Sequence, residues 1–188
     1  MVNYMKIYLV TRNKGKLLAA QNAFSDSDIE LLTVEKDYQE IQADTSLEIA
    51  RYTSLEAAKE LGAPAIREDH SVFLNGLKQI PGPYMNYFNK KWSEKDIIEL
   101  YKHIDDRTGY FEVATVLAFP DGKTIESVFR VNFIFSPEPR GTLQTGWATI
   151  MILEGQTKTN AEFPETERLH IWNQGYLEIK KKFKEFTT

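Results

Sequence analysis

Residues Lys6 to Phe24 read KIYLVTRNKGKLLAAQNAF, and the change of rhythm inside that stretch decides the fold class. Lys6 to Val10 is a short apolar run with β-branched and aromatic members, which suits a buried strand. The segment TRNKGK breaks the run, and Leu17, Ala20 and Phe24 then recur at helical spacing. Ile29 to Val34 returns as a strand. Strand, polar turn, helix and strand is the alternation of an α/β sheet.

The rest of the chain extends this pattern. Glu35 to Ala43 is polar and irregular. Thr45-Ser46-Leu47-Glu48 has the form of a capping box, a hydroxyl at the cap and a carboxylate three residues on. Leu47, Ala50, Ser54, Ala58 and Leu61 follow on one helical face, and Gly62 and Pro64 end that helix. Ala65 to Asp69 is another short strand, and IPGPY, from Ile80, is a rigid turn. Ser93 to Ile104 predicts an amphipathic helix with Ser93 as cap and His103 near its end. Phe111, Val113, Thr115, Leu117 and Phe119 alternate, Pro120 to Lys123 turns the chain, and Ile125 to Phe135 alternates back as a hairpin. Trp147 to Leu153 reads as one more strand, and Tyr176, Ile179, Phe183 and Phe186 mark a final helix whose lysines from Lys180 to Lys184 face solvent. The sum is a mixed sheet with helices packed on it, in one α/β domain covering residues 1–188.

Bulk properties narrow the function. The chain has 188 residues, a formal net charge of −4 and no cysteine. No broad basic surface is available for nucleic acid, and neither disulfide nor thiolate chemistry is possible. The first ten residues are too mixed for a signal peptide, and no apolar run is long enough to span a membrane. The expectation is a soluble, cytoplasmic protein that meets any anion with a few local cations.

Three groups could carry chemistry. Thr11-Arg12-Asn13-Lys14-Gly15-Lys16 lies between a strand and a helix, where backbone amides attract phosphate and nearby lysines add charge. Its glycine spacing is not that of a Walker loop, and its plain reading is a polar turn with a solvated lysine pair. Glu68 and Asp69 stand at a strand end, so they point to opposite faces and at most one enters a given cleft. A carboxylate so placed suits Mg²⁺, with Glu40 as a second oxygen ligand; a surface pair is the plain alternative. His70, next in the chain, could titrate near neutrality or serve as a hydrogen-bonded spacer. His170 has no obvious partner, and neither a Ser-His-Asp set nor zinc spacing is visible.

Taken together, TRNKGKL, EIQ, ARYTSLEAAKELGAP, REDHSVFLNGLKQIPGPYMNYF, GW and TNAEFPETER resemble, in order, the motifs of the Ham1-like inosine triphosphate pyrophosphatases. The likeness covers nearly the whole chain, and NGLKQIPGPY is its most specific piece. It implies a long, curved mixed sheet with two lobes around a cleft, and Mg²⁺-dependent hydrolysis of nucleoside triphosphates to monophosphate and pyrophosphate. The usual targets are deaminated purine nucleotides, and many members are homodimers. By the same resemblance, Asn13 and Lys16 fall on triphosphate-contacting positions, and Thr11 of the same turn is a further candidate for substrate binding. Glu40 and Asp69 fall on acidic positions tied to metal binding and water activation, with Asp69 expected to orient or deprotonate the water and Glu68 a further candidate metal ligand. Arg168 takes the place of a phosphate-binding lysine, keeping the charge in a planar fork.

Base recognition is where the chain departs from the family. TGWATIMILEG, Thr145 to Gly155, carries no charge between Trp147 and Glu154. The family has an aromatic-Gly-aromatic-Asp run there, and Thr145 and Ala148 stand at its first aromatic and its acid. Trp172-Asn173-Gln174 stand where the family has Ser-His-Arg. An asparagine and a glutamine can still donate and accept, Trp172 could stack on a base, Trp147 is a further substrate-binding candidate, and His70 could crowd or bind a phosphate. Three functions follow: a pyrophosphatase with altered base choice, a nucleotide- or metabolite-binding homologue without turnover, or an interaction protein displaying Tyr84, Tyr87, Phe88 and Trp92. The retained Lys16, Glu40 and Asp69 favour the first.

Overall fold

A computed structural model describes residues 5–34, 36–143 and 146–187. Thr145, expected in the altered base-reading run, lies outside the described residues. Strands β1 (Met5–Val10), β2 (Ile29–Val34), β3 (Ala65–Leu74), β4 (Pro81–Gly82), β5 (Thr108–Ala118), β6 (Thr124–Phe135) and β7 (Met151–Leu153) form one sheet among the described residues. Its order is β2-β1-β3-β5-β6-β7, with β4 on β3. β1 runs parallel to β2 and to β3, whereas β4 is antiparallel to β3 and β7 to β6. The sheet is therefore mixed. The helices are α1 (Lys14–Phe24), α2 (Ser46–Leu61), α3 (Met85–Lys91), α4 (Glu94–Leu100), α5 (Glu165–Trp172) and α6 (Gln174–Thr187). No described helix is long and apolar enough to cross a membrane.

The chain divides into two compact units, and β3, β5 and β6 each contribute to both. The first unit holds the chain up to Asp69, Val113–Phe129 and the chain from Leu169. Its sheet is covered on both faces. Ile7, Leu9 and Ile66 pack with Ala20, Phe24, Tyr176, Ile179 and Phe183 of α1 and α6. Val10 and Ala65 pack with Ala57 and Ala58 of α2. Successive β1 side chains thus alternate between two helical layers, as the two-residue period of a strand requires. Each fully buried Ile or Leu contributes about 1.5–3 kcal/mol against the entropy of ordering the chain. α2 opens on the expected capping box: Thr45 N–H donates to Glu48 Oε2 at 3.1 Å, and Thr45 Oγ1 accepts from Glu48 N–H at 3.3 Å. It closes at Gly62, whose φ of 61° is the left-handed conformation glycine adopts without strain.

The second unit holds His70–Glu112 and Arg130–Arg168. Its centre is aromatic: Tyr101 meets Phe135 edge-on at 5.2 Å, and Phe135 meets Trp147 at 6.1 Å. α4 opens on a second capping box, Ser93 with Asp96.

Three local expectations are corrected, and helices α3 and α5 have no counterpart in the sequence reading. β3 continues past Asp69 to Leu74, so Glu68 and Asp69 lie within a strand and not at its end. α4 stops at Leu100, and His103 lies beyond it, in turns closed by Lys102 N–H to Glu99 O and His103 N–H to Leu100 O, each at 3.2 Å. These i→i−3 bonds tighten the chain out of the α-helix. The strand expected from Trp147 begins only at Met151. Gly146 takes a φ of 52°, and Ile150 N–H returns to Trp147 O at 3.0 Å, making a buried turn. α5 was not anticipated at all, although Pro164 ahead of it and Glu165 and Glu167 in its first turn are start signals.

Candidate active site

The chain leaves β1 at Val10 and reaches α1 through Thr11, Arg12 and Asn13. Asn13 is extended, with φ −78° and ψ 116°, and caps the helix. Its Oδ1 accepts from the N–H groups of Gly15 at 2.9 Å and Lys16 at 3.2 Å, while Thr11 Oγ1 accepts from Asn13 N–H at 3.1 Å. The first turn carries no acid, so the positive end of the helix dipole is reinforced by Lys14 and Lys16. The lysine pair divides. Lys14 is exposed, whereas Lys16 is half-buried and its Nζ donates to the Glu68 carbonyl at 2.9 Å.

β3 delivers the acids by alternation. Ile66 belongs to the α1–α6 layer and Ala65 to the α2 layer, so Glu68 follows the first and Arg67 and Asp69 the second. Glu68 is only 2% exposed, and Asp69 is half-buried. Burial pushes the Lys16 ammonium below its usual range; the Glu68 and Asp69 carboxylates pull it back, Arg67 lowers it further, and Glu40 raises it. One ammonium is thus electrostatically coupled to all three acids. Burial also drives the Tyr176 phenol well up, and the Glu68 charge beside it adds to that shift.

Arg67 was missed in the sequence, although it shares a strand face with Asp69. Its Nη2 donates to Glu40 Oε1 at 2.6 Å and its Nη1 to the Val10 carbonyl at 3.1 Å. The pair anchors the irregular segment around Glu40 to the strands.

These residues fit a hard cation. Carboxylate oxygens are its proper donors, and Mg²⁺ is typically held by one or two of them together with substrate phosphates. Glu40 and Asp69 offer that number on the Arg67 side of β3. Glu68 is buried on the other face. No group of three or more His, Asp or Glu side chains is placed as a metal cage among the described residues.

The residues expected to read the base are placed differently. Trp147 is 2% exposed and its Nε1 donates to the Trp92 carbonyl at 3.0 Å, so its ring is core and its N–H is committed. Ala148 is buried, and its carbonyl accepts from Ala161 N–H at 3.1 Å. Trp172 is half-buried against the α1–α6 core. Asn173 is buried, and its Nδ2 donates to Asn22 Oδ1 at 2.7 Å, tying the start of α6 to α1. Gln174 is exposed and His70 half-buried. Arg168 is half-buried, and its Nε–H is buried with no acceptor among the described residues. Of the four exposed-aromatic candidates, Tyr84 and Tyr87 are exposed, and Phe88 and Trp92 are half-buried.

The sequence model of the Ham1 family matches residues 7–175. The chain belongs to the Ham1 family. It is similar to the dITP/XTP pyrophosphatase of Ignicoccus hospitalis, 32% identical over 179 residues that cover 94% of this chain and 95% of that one. It is also similar to the dITP/XTP pyrophosphatase of Saccharolobus solfataricus, 34% identical over 165 residues, or 87% and 85% of the two chains. The solved HAM1 protein of Coxiella burnetii shares the fold with a TM-score of 0.83 at 22% identity, covering 96% of this chain and 98% of that one. The Staphylococcus aureus Ham1 protein does so with a TM-score of 0.81 at 21% identity, covering 97% and 100%. The mixed sheet and its flanking helices are thus the Ham1 architecture.

Proposed function

We propose that this Ham1 chain hydrolyses a nucleoside triphosphate between the α and β phosphates, releasing a nucleoside monophosphate and pyrophosphate. The observation that carries the reading is Lys16: a half-buried ammonium at the start of a helix, hydrogen-bonded to the strand that holds Glu68 and Asp69. Burying a charge is costly, and a phosphate would supply the counter-charge that justifies it. Similarity to curated dITP/XTP pyrophosphatases supports the same reaction.

Lys16 and the amides at the start of α1 bind phosphate oxygens, with Asn13 and Thr11 shaping the loop. The family resemblance gives Arg168 as a further candidate for phosphate binding. The Asp69 carboxylate orients the water that attacks the α-phosphorus and takes its proton, and pyrophosphate leaves with the bridging oxygen. Glu40, with Asp69, would hold Mg²⁺, which when bound neutralises phosphate oxygens and stabilises the leaving pyrophosphate. The substrates are non-standard nucleotides, with base choice altered from inosine and xanthosine. A buried Trp147, a methyl at Ala148 and an Asn173 amide bonded to Asn22 support that alteration, and leave Gln174 as the exposed amide of the set. A homodimer is the assembly we expect, and sedimentation equilibrium tests it: a 21.7 kDa species alone would remove it.

The test is pyrophosphate release with Mg²⁺ across inosine, xanthosine, standard and modified nucleoside triphosphates. Selective release supports the reading and names the base. Preference for inosine triphosphate over all others would sink the altered-base part. No release, with a nucleotide raising the melting temperature, would mark a binding homologue.

A further inference from the structure

Arg67 is a charged group of this site that the proposed chemistry leaves unused. Its side chain is 17% exposed, against 58% for Glu40. The fork is pinned from the strand side by the Val10 carbonyl, and its Nε–H is buried with no acceptor among the described residues. A guanidinium keeps its charge at any working pH, so Arg67 is a permanent cation held on the exposed carboxylate. That carboxylate is the one assigned above to the divalent cation, and the inference rests on that assignment. Two cations drawn to one carboxylate repel each other, so each weakens the hold of the other.

We propose that Arg67 competes with the divalent cation for Glu40, so that the Arg67–Glu40 pair opens before the metal is held. A triphosphate offers the released guanidinium a replacement anion with matching fork geometry. Cation and nucleotide therefore load together, and the nucleotide-free protein binds free cation weakly. Nucleotide-free enzyme is thereby kept from capturing a metal it cannot use.

The experiment is Mn²⁺ binding to the full, nucleotide-free chain, followed by electron paramagnetic resonance. Arg67→Met is expected to tighten Mn²⁺ binding on the order of tenfold, the scale of removing one nearby like charge. Adding Glu40→Gln to that variant should abolish the gain. Unchanged or weaker Mn²⁺ binding in Arg67→Met would overturn the proposal and leave Arg67 as a clamp for the Glu40 segment. Should that variant fail to fold, a crystal structure of the unmodified chain with saturating Mn²⁺ decides. Arg67 turned away from Glu40 supports the proposal, and Mn²⁺ on Glu40 with the pair intact contradicts it. Failure of the pyrophosphatase reading would show separately, as an unmodified chain that releases no pyrophosphate whatever Arg67→Met does to Mn²⁺.

Discussion

Two regions of this molecule handle polarity in opposite ways. Residues 11–16 and 67–69 carry Arg12, Lys14, Lys16, Arg67, Glu68 and Asp69, and several of these are partly or wholly buried. Residues 146–153 carry no charged side chain, and from Trp147 to Met151 every one is buried. In the first region, desolvation works against Lys16 and the fold retains it, tied to the Glu68 carbonyl. In the second, the indole N–H, the Ala148 carbonyl and the Thr149 hydroxyl find partners inside their own unit. On the proposed reading, the buried charge is kept for a ligand and the buried apolar turn for stability.

The sharpest way to break this contrast is to exchange charge for isostere in the first region. Asp69→Asn should lower pyrophosphate release by about 10²–10⁴-fold, as loss of a general base does, with the melting temperature little changed. Full turnover in that variant would remove Asp69 from the reaction. In the second region the expected damage is to folding. Trp147→Ala should cost about 3–5 kcal/mol in urea unfolding, and Trp147→Phe should keep the nucleotide KM while losing stability. A raised KM with unchanged stability would return Trp147 to the base site.

Lys16→Met should separate activity from stability. Losing one fixed cation from the phosphate site is expected to cost roughly 10²-fold in kcat/KM. The folded-state pKa of Lys16 lies below its unfolded value, so the unfolded chain binds the extra proton. Its charge therefore costs stability at neutral pH, and that cost fades as pH rises from the lowered pKa toward 10.5. Removing it should raise the melting temperature near pH 7 and flatten that alkaline trend. A variant that loses stability instead would show that the hydrogen bond to Glu68 outweighs desolvation. Smallest of all, Asn173→Ala should cost about 1 kcal/mol, the worth of its bond to Asn22, with no change in KM. A changed KM would restore it as a base contact.

Much of the first unit was legible because local chemistry and global packing agree there. The strand–turn–helix of residues 6–24, the Thr45–Glu48 capping box and the Gly62 stop all appear where their residue types put them. The long hairpin was legible from alternation over both arms. The stretch after Gly146 was not, because a buried turn and a buried strand are equally apolar and periodicity cannot separate them. His70 and Ser71 interrupt the apolar pattern of β3, which hid its second half. In the site, the motif residues were readable one at a time. Arg67 was not, because its partners are Glu40, twenty-seven positions away, and a main-chain carbonyl that no residue type announces. Asn173 illustrates the reverse: its amide donates to Asn22 of α1, a partner that no spacing in the sequence announces.

The most direct test of the central claim is to follow turnover of the preferred nucleoside triphosphate in ¹⁸O-labelled water by ³¹P spectroscopy. The expected products are nucleoside monophosphate and pyrophosphate, with the label on the monophosphate, as the proposed attack of a water oriented by Asp69 on the α-phosphorus requires. Nucleoside diphosphate and phosphate, or label carried only by pyrophosphate, would contradict it.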